Sequence, residues 1–394
     1  MKKIRFLLFF LLSITALHAQ NKLSNEAEIS ILTSTPSEEE VFTVYGHTAI
    51  RINDPIHNFD YIFNYGIFDF NKPNFIYRFA KGETDYMLGV DDFQHYIIGY
   101  QLRGSGIIEQ VLNLTTEEKE KIWTALEINY RPENRIYRYN FFFDNCSTRP
   151  VVLVEKNVTG EVVYDYPYPP QTFRDLINAC TENKPWQTFG CDLALGSSTD
   201  RMATQHEEMF LPLYLMEAFE NAFIKSEDGS TRKLVKQTNI IVEDISDEED
   251  IKSTFFTPLI VCWGLFLFIL LLTIFEWKKK IYYPIIDFML FFVAGIAGVV
   301  LFFLAFISEH PGTTGNWLLL WLNPIHLFGA ILFMVKKAKK AAYYYHFINF
   351  AVLTLMLLFW RFIPQHFNAA FIPLVSVIWV RSAYSVYRYK SGFR

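Results

Sequence analysis

The sequence predicts a chain in two parts: an α+β exported domain followed by an all-α membrane domain of five helices. Three observations carry this reading. The 394 residues are 51% apolar and only 20% charged, yet the apolar residues are unevenly spread. A basic start, Lys2, Lys3 and Arg5, precedes an apolar run from Phe6 to Leu12. Five long apolar segments fill the C-terminal third, whereas no run between residues 20 and about 250 is long enough to cross a bilayer.

Composition also excludes classes. With 39 Phe and 22 Tyr the chain can bury ample apolar surface, so it is not a disordered protein. A net charge of -5 with no long basic block excludes nucleic acid as a partner, because neutralising a phosphate backbone takes clustered Lys and Arg.

Taken in order, residues 1–19 predict a secretory signal with Ala19 as the cleavage point. Leu17 is large for the minus-three position, so an uncleaved anchor stays open; either way the next segment is exported. Residues 20–241 then form the exported, periplasmic domain. Within it, Val41–Ile52 alternates as a strand, with Phe42, Val44, Ile50 and Ile52 on one face and Tyr45, His47 and Ala49 on the other. Asp60–Tyr65 suits a neighbouring strand that brings Asn64 beside His47. Thr115 with Glu118 makes a capping box ahead of an amphipathic helix through Ile122, Trp123 and Leu126. Ile136–Phe143 reads as a strand, and Ser147 to Pro150 as a first helical turn directly after Cys146.

Residues 242–253 are acidic and lack aromatics, as a solvated tether would. Residues 254–394 follow as the membrane domain, with apolar segments at 255–275, 283–307, 317–335, 342–360 and about 369–386. Lys278 to Lys280, the Lys336, Lys337, Lys339 and Lys340 cluster, and Arg388, Lys390 and Arg394 fall at alternate ends. The excess of Lys and Arg on cytoplasmic loops then predicts an inner-membrane protein with its N-terminal domain periplasmic and its C-terminus cytoplasmic. Arg381, inside the fifth segment, is expected to snorkel to the cytoplasmic surface.

Cys262 falls in the first membrane segment and reads as a packing residue. Cys180 and Cys191 stand on the oxidising side, and the sequence leaves open whether they bridge. Cys146 remains, at a helix start where a thiol is biased toward thiolate. A Cys nucleophile needs a lowered pKa, a His to carry the proton and a polar group to orient the imidazole; Cys146, His47 and Asn64 fit those roles. The alternative is a buried Cys and a structural His. His206, Glu207 and Glu208 begin like a zinc-protease helix, but Phe210 stands where the second His belongs, so no metal is expected. No G-x-S-x-G, P-loop or G-x-G-x-x-G motif occurs, and no cofactor is expected. Arg149 is a candidate for a phosphate headgroup. Glu309 and His310, in an outward-facing loop, are candidates for an acceptor amine or headgroup; structural roles are the alternative for all three.

YGHTAIRI, FNYGIFDF, YRYNFFFDNCSTR and TFRDL, in that order, resemble the periplasmic domain of the Lnb-type lipoprotein N-acyltransferases, and EHPGTTGNWLLLWLNP with the apolar segments resembles that family's C-terminal part. More distantly, the order of His strand, polar strand and Cys at a helix start is similar to the circularly permuted papain-like (NlpC-like) arrangement of the lecithin:retinol acyltransferase group. The resemblance implies His47 as base, Cys146 as nucleophile and Asn64 as the third group, where a His often stands. It implies a membrane phospholipid as acyl donor, a diacylated lipoprotein as acceptor and the lipid bilayer as the site of work. A papain-like peptidoglycan amidase or endopeptidase, and a non-enzymatic sensor or assembly module, are the rival readings.

Overall fold

The computed structural model describes residues 22–37, 43–165, 169–245 and 255–392. The predicted signal, residues 1–19, and most of the acidic tether lie outside the described residues. In the N-terminal domain the elements run β1 (Glu28–Ser34), β2 (His47–Asp54), β3 (Phe59–Ile67), α1 (Phe75–Lys81), β4 (Asp85–Asp92), α2 (Phe93–Arg103), β5 (Ile107–Leu112), α3 (Thr116–Tyr130), β6 (Ile136–Arg138) and α4 (Thr148–Asn157). They continue with β7 (Glu161–Tyr164), α5 (Phe173–Cys180), α6 (Pro185–Ala194), α7 (Gln205–Glu208), α8 (Pro212–Glu220), β8 (Ala222–Lys225), β9 (Thr231–Lys233) and β10 (Val235–Val242).

Seven of the strands form one antiparallel sheet in the order β10-β5-β1-β2-β3-β4-β6, and β7-β8-β9 form a small second one. The strand period of two sorts the side chains. Ile50 and Ile52 of β2 join Ile122, Trp123 and Leu126 of α3 and Val151 and Val154 of α4 in the main core. Ala49, on the opposite face, packs with Phe93 and Tyr96 of α2. The predicted capping box is present: Thr115 Oγ1 accepts from Glu118 N at 3.3 Å, and Glu118 Oε2 accepts from Thr115 N at 2.8 Å.

Pairing of Ser34 with both His47 and Ile107, Ile67 with Met87, and Ile107 with Val242 gathers these positions at one end of the sheet. The last strand therefore ends, and the chain leaves for the membrane, at the end that carries His47.

Two expected strands are shorter than the alternation suggested. Thr43–Tyr45 form a 3-10 turn, and β2 starts only at His47, because Gly46 adopts φ +72, where a Cβ would stand 2.7 Å from the Ser34 carbonyl oxygen. The Ile136–Phe143 run leaves the sheet after Arg138. Asn140 Oδ1 accepts from Phe142 N (3.1 Å) and Phe143 N (3.2 Å), turning the chain so that Phe141 and Phe142 pack with Phe173 and Phe210.

The C-terminal domain is helical and of membrane type: α9 (Pro258–Lys279), α10 (Pro284–Phe306), α11 (His326–Met334), α12 (Lys339–Leu358) and α13 (Phe371–Lys390). Among the described residues three helical stretches are long and apolar enough to cross a membrane, Pro258–Lys279, Pro284–Phe306 and Lys336–Leu358. The expected third crossing is broken into a 3-10 turn, Trp317–Leu320, and the nine residues of α11. Pro324 lies between them and supplies no backbone N–H. The fifth segment is a 20-residue helix, but too polar to count with the three.

Arg381 of that helix does not snorkel. It is fully buried, its Nε donates to Asp287 Oδ1 at 2.6 Å, its Nη1 donates to Thr273 Oγ1 at 3.0 Å, and it pairs with Glu276. A long side chain escapes to the surface only when no buried partner meets it. Here α9 and α10 each present a carboxylate, so the charge is satisfied inside and ties α9, α10 and α13 together.

The two domains are joined by more than the tether. Gly196 N donates to Gly312 O (2.8 Å), Asn316 Nδ2 to Leu193 O (2.9 Å), Gln365 Nε2 to Leu195 O (3.0 Å) and Asn368 Nδ2 to Asp192 Oδ2 (3.0 Å). Asp192 is in turn held by Arg174, a buried side chain whose Nη1 donates to Asp192 Oδ1 at 2.9 Å and whose Nε donates to Asp200 Oδ1 at 2.7 Å. These contacts come from the loops at 308–316 and 361–368, so the Lys-rich turns lie at the helix ends away from the N-terminal domain.

Candidate active site

His47 opens β2 and Asn64 lies near the end of β3, and continuing the pairing of Ile50 with Phe63 sets Gly66 opposite His47. Asn64 Oδ1 accepts from Gly66 N at 2.7 Å and lies 2.8 Å from His47 Nε2. An amide oxygen only accepts, so Nε2 carries the proton of that bond and the other ring nitrogen is left for a second partner. Cys146 lies close enough to the His47 side chain that each shifts the pKa of the other. A Cβ on Gly66 would stand 2.6 Å from His47 Cε1, so the ring is laid against a bare backbone and has little room to turn.

Cys146 is placed by the turn before α4. Asn145 is buried; its Oδ1 accepts from Ser147 N (2.8 Å) and Thr148 N (2.9 Å), and its Nδ2 donates to Phe141 O (2.7 Å) and Phe210 O (2.8 Å). One amide therefore caps the helix start and anchors it to two neighbouring loops. Next to the thiol, Thr48 Oγ1 and Ser147 Oγ lie 3.0 Å apart.

Burial works against charge on both groups, and their mutual attraction wins. Burial alone would lower the pKa of His47, but the Cys146 charge, reinforced by hydrogen bonds to Cys146 and Asn64, pushes it up to about 10. Burial alone would raise Cys146, but the His47 charge and hydrogen bond, helped by Thr48 N–H and Ser147, hold the thiol below its ordinary range. The other two thiols outside the membrane segments go the opposite way: burial pushes Cys180 up to about 11 and also raises Cys191. All four cysteines are free, so the bridge left open between Cys180 and Cys191 is not formed. The arrangement sets a thiol of lowered pKa beside an imidazole of raised pKa with an amide at the imidazole, group types suited, once the thiol ionises, to attack on a carbonyl carbon.

Three expected substrate contacts are engaged elsewhere. Arg149 Nε and Nη2 donate to Asp144 at 2.6 and 2.9 Å, and its guanidinium lies 3.6 Å over the Tyr137 ring. A guanidinium committed to a carboxylate and a ring holds the turn before α4 rather than presenting a free fork. Glu309 N donates to Lys81 O at 2.8 Å and its Oε2 lies 3.4 Å from Arg138, while His310 Nε2 lies 2.7 Å from Phe79 O. Both seat the membrane domain on α1.

Sequence reasoning missed Gly66, Asn145 and a wall of tyrosines. Tyr86, Tyr137 and Tyr139 lie close enough to Cys146 to feel its charge, and Tyr100 of α2 acts on His47. The first two carry a local signal, a Gly two residues past Asn64 and an Asn before Cys146. The tyrosines come from β4, from β6 and the residue after it, and from α2, and carry none.

Fold and site together define a membrane protein with a thiol-bearing α+β domain on one surface. Residues 19–179 match the family model described as the Lnb N-terminal periplasmic domain, and residues 250–392 the Lnb transmembrane domain. The chain belongs to the Lnb family, as its motifs implied, and is an inner-membrane protein with a periplasmic N-terminal domain. His47, Asn64 and Cys146 all fall within the first match. No curated protein and no solved structure matches the chain.

Proposed function

We propose that this protein is a cysteine-dependent acyltransferase that moves a fatty acyl chain from a membrane phospholipid to the α-amine of a diacylglyceryl-Cys lipoprotein. The observation that carries the reading is the Cys146–His47–Asn64 constellation, in which the thiol alone among the periplasmic cysteines is driven toward thiolate. The order of His strand, Asn strand and Cys at a helix start supports a permuted papain-like arrangement for residues 20–241, with residues 254–394 as a membrane domain that crosses five times, the third crossing bent, and leaves the C-terminus cytoplasmic.

In the first step the Cys146 thiolate adds to an ester carbonyl of the phospholipid. The ester C–O bond breaks, and the departing lysophospholipid oxygen takes the proton of the His47 imidazolium. A thioester and a neutral His47 remain. In the second step the acceptor's neutral amine adds to the thioester carbonyl and gives a proton to His47, and the C–S bond breaks. The thiolate–imidazolium pair returns, and the product is an amide on a triacylated lipoprotein. The Cys146 backbone N–H is the first candidate to hold the oxyanion of each tetrahedral intermediate. Donor and acceptor share one leaflet, so anchoring the catalytic domain there replaces a three-dimensional search with local encounter.

The test is mass spectrometry of the full-length protein in proteoliposomes with labelled phospholipid, together with analysis of lipoprotein N-termini from cells lacking any other N-acyltransferase. A labelled acyl adduct on Cys146, with triacylation abolished by Cys146→Ala and by His47→Ala, is the expected result. Unchanged triacylation in either variant overturns the proposal, and cleavage of cell-wall peptide by the purified protein would favour the amidase instead.

A further inference from the structure

Helix α1 is apolar but contributes nothing to any core. Of its seven residues, FIYRFAK, none is buried; Ile76 is 83% exposed and Tyr77 and Phe79 about half, and Phe70 in the preceding loop is 57% exposed. A soluble helix turns an apolar stripe inward, and a cluster of this kind left open marks a surface meant for another phase. At the end of α2, Leu102 is 84% exposed.

Three observations say what covers this surface. Helix α1 is fastened to the emerging end of the membrane-spanning α10: Ser308 Oγ donates to Ala80 O at 2.8 Å, Glu309 N donates to Lys81 O at 2.8 Å, and His310 Nε2 lies 2.7 Å from Phe79 O. The Tyr77 ring lies 5.9 Å from that of Phe303. Phe303 stands three residues inside the end of α10, roughly 4–5 Å below it at 1.5 Å per residue, so α1 lies at the depth of the last membrane turn. Finally, α1 follows β3 and the end of α2 precedes β5, so both flank the end of the sheet that holds His47 and Asn64.

We propose that α1 and the end of α2, through Ile76, Tyr77, Phe79 and Leu102, form a wedge seated among the outer-leaflet lipids beside Cys146, where a phospholipid rises from the bilayer to the thiol. The docking part rests on the geometry alone; the route to the thiol rests on the acyltransferase reading. A tyrosine at this level sits as aromatic residues do at membrane interfaces, ring toward lipid and hydroxyl toward water. The wedge lets the ester carbonyl reach a half-buried sulfur without the acyl chain crossing water.

The experiment places the photo-crosslinker benzoylphenylalanine at Ile76, at Leu102 or, as a control, at Asp228 in the β8–β9 turn. The full chain is then illuminated in vesicles of phosphatidylethanolamine and phosphatidylglycerol. Phospholipid adducts at the first two positions and none at the third are expected; absence of lipid adducts at position 76 overturns the wedge. In parallel, Ile76→Glu is expected to slow acyl loading of Cys146 from vesicle phospholipid about tenfold or more. The loss should be several times smaller with a monomeric short-chain phospholipid. Equal losses with both donors, or none, overturn the route to the thiol. If the variant with the crosslinker at position 76 gives the lipid adduct but the wild type never acylates Cys146, the wedge stands and the acyltransferase reading falls.

Discussion

Cys146 and His47 lie far apart in sequence and each favours the charged form of the other, so the thiol's pKa belongs to the pair. Because Cys146 is depressed and His47 raised to about 10, the thiolate persists below the ordinary thiol range and is lost as pH drops through the lowered thiol value. Alkylation of Cys146 by iodoacetamide should therefore remain fast below the ordinary thiol range of about 8.5. In His47→Gln the pull of burial loses its counterweight, so the onset should move to about 8.5 or higher and the rate at pH 7 fall by about tenfold or more. Coinciding profiles for the two proteins would mean that His47 does not charge the thiol. The juxtaposition of His47, Asn64 and Cys146 was legible because such residue types invite pairing and the alternation of β2 and β3 put two of them on one face. The loss of Arg149, Glu309 and His310 to other partners was not legible, since Asp144, Tyr137 and the carbonyls of α1 meet them only after folding.

At the scale of elements, the TFRDL segment shows how a short motif joins two domains. Thr172 and Asp175 form a capping box that starts α5, and between them Arg174 points inward to Asp192, Asp200 and the carbonyls of Leu195 and Gly196. Asp192 passes the connection to Asn368 of the membrane domain. Removing the cation leaves two carboxylates without their partner, one of them buried, and breaking a buried pair in this way costs about 3–5 kcal/mol. Arg174→Leu should lower the unfolding midpoint of the detergent-solubilised protein and open the segment at 192–200 to limited proteolysis, with Arg174→Lys unable to restore it. Unaltered stability in Arg174→Leu would show that the backbone hydrogen bonds from Gly196 N to Gly312 O and from Ser197 N to Gly315 O suffice. Elements strongly specified by local chemistry, such as the capped α3, were predictable; the broken third membrane segment was not, because hydropathy counts apolar residues and does not see where a backbone turns.

For the whole molecule, the loops at 308–316 and 361–368 meet the N-terminal domain, while the Lys-rich turns and the Arg388–Lys390 end lie on the far side. Such an arrangement agrees with the excess of positive charge retained in the cytoplasm. A reporter active only in the cytoplasm, fused after Arg394, should be active, and one active only in the periplasm should be silent; the reverse result would invert the topology and remove His47 and Cys146 from the outer leaflet. The chain exit at Val242, the α1–α10 junction and His47 share one end of the sheet, so the candidate site faces the side on which the membrane domain is joined.

By itself the sequence determined the two-part architecture, the family, the capped helices and the candidate thiol, imidazole and amide, because hydropathy, capping and side-chain chemistry act over a few residues at a time. Only the tertiary structure decided that Arg381 is neutralised inside the helix bundle, that Asn145 and Gly66 hold Cys146 and His47 in place, and that the end of the sheet carrying His47 is fixed to the membrane domain. Those outcomes depend on which groups from distant segments arrive together, and a buried charge or a close-packed ring takes the partner that folding delivers to it.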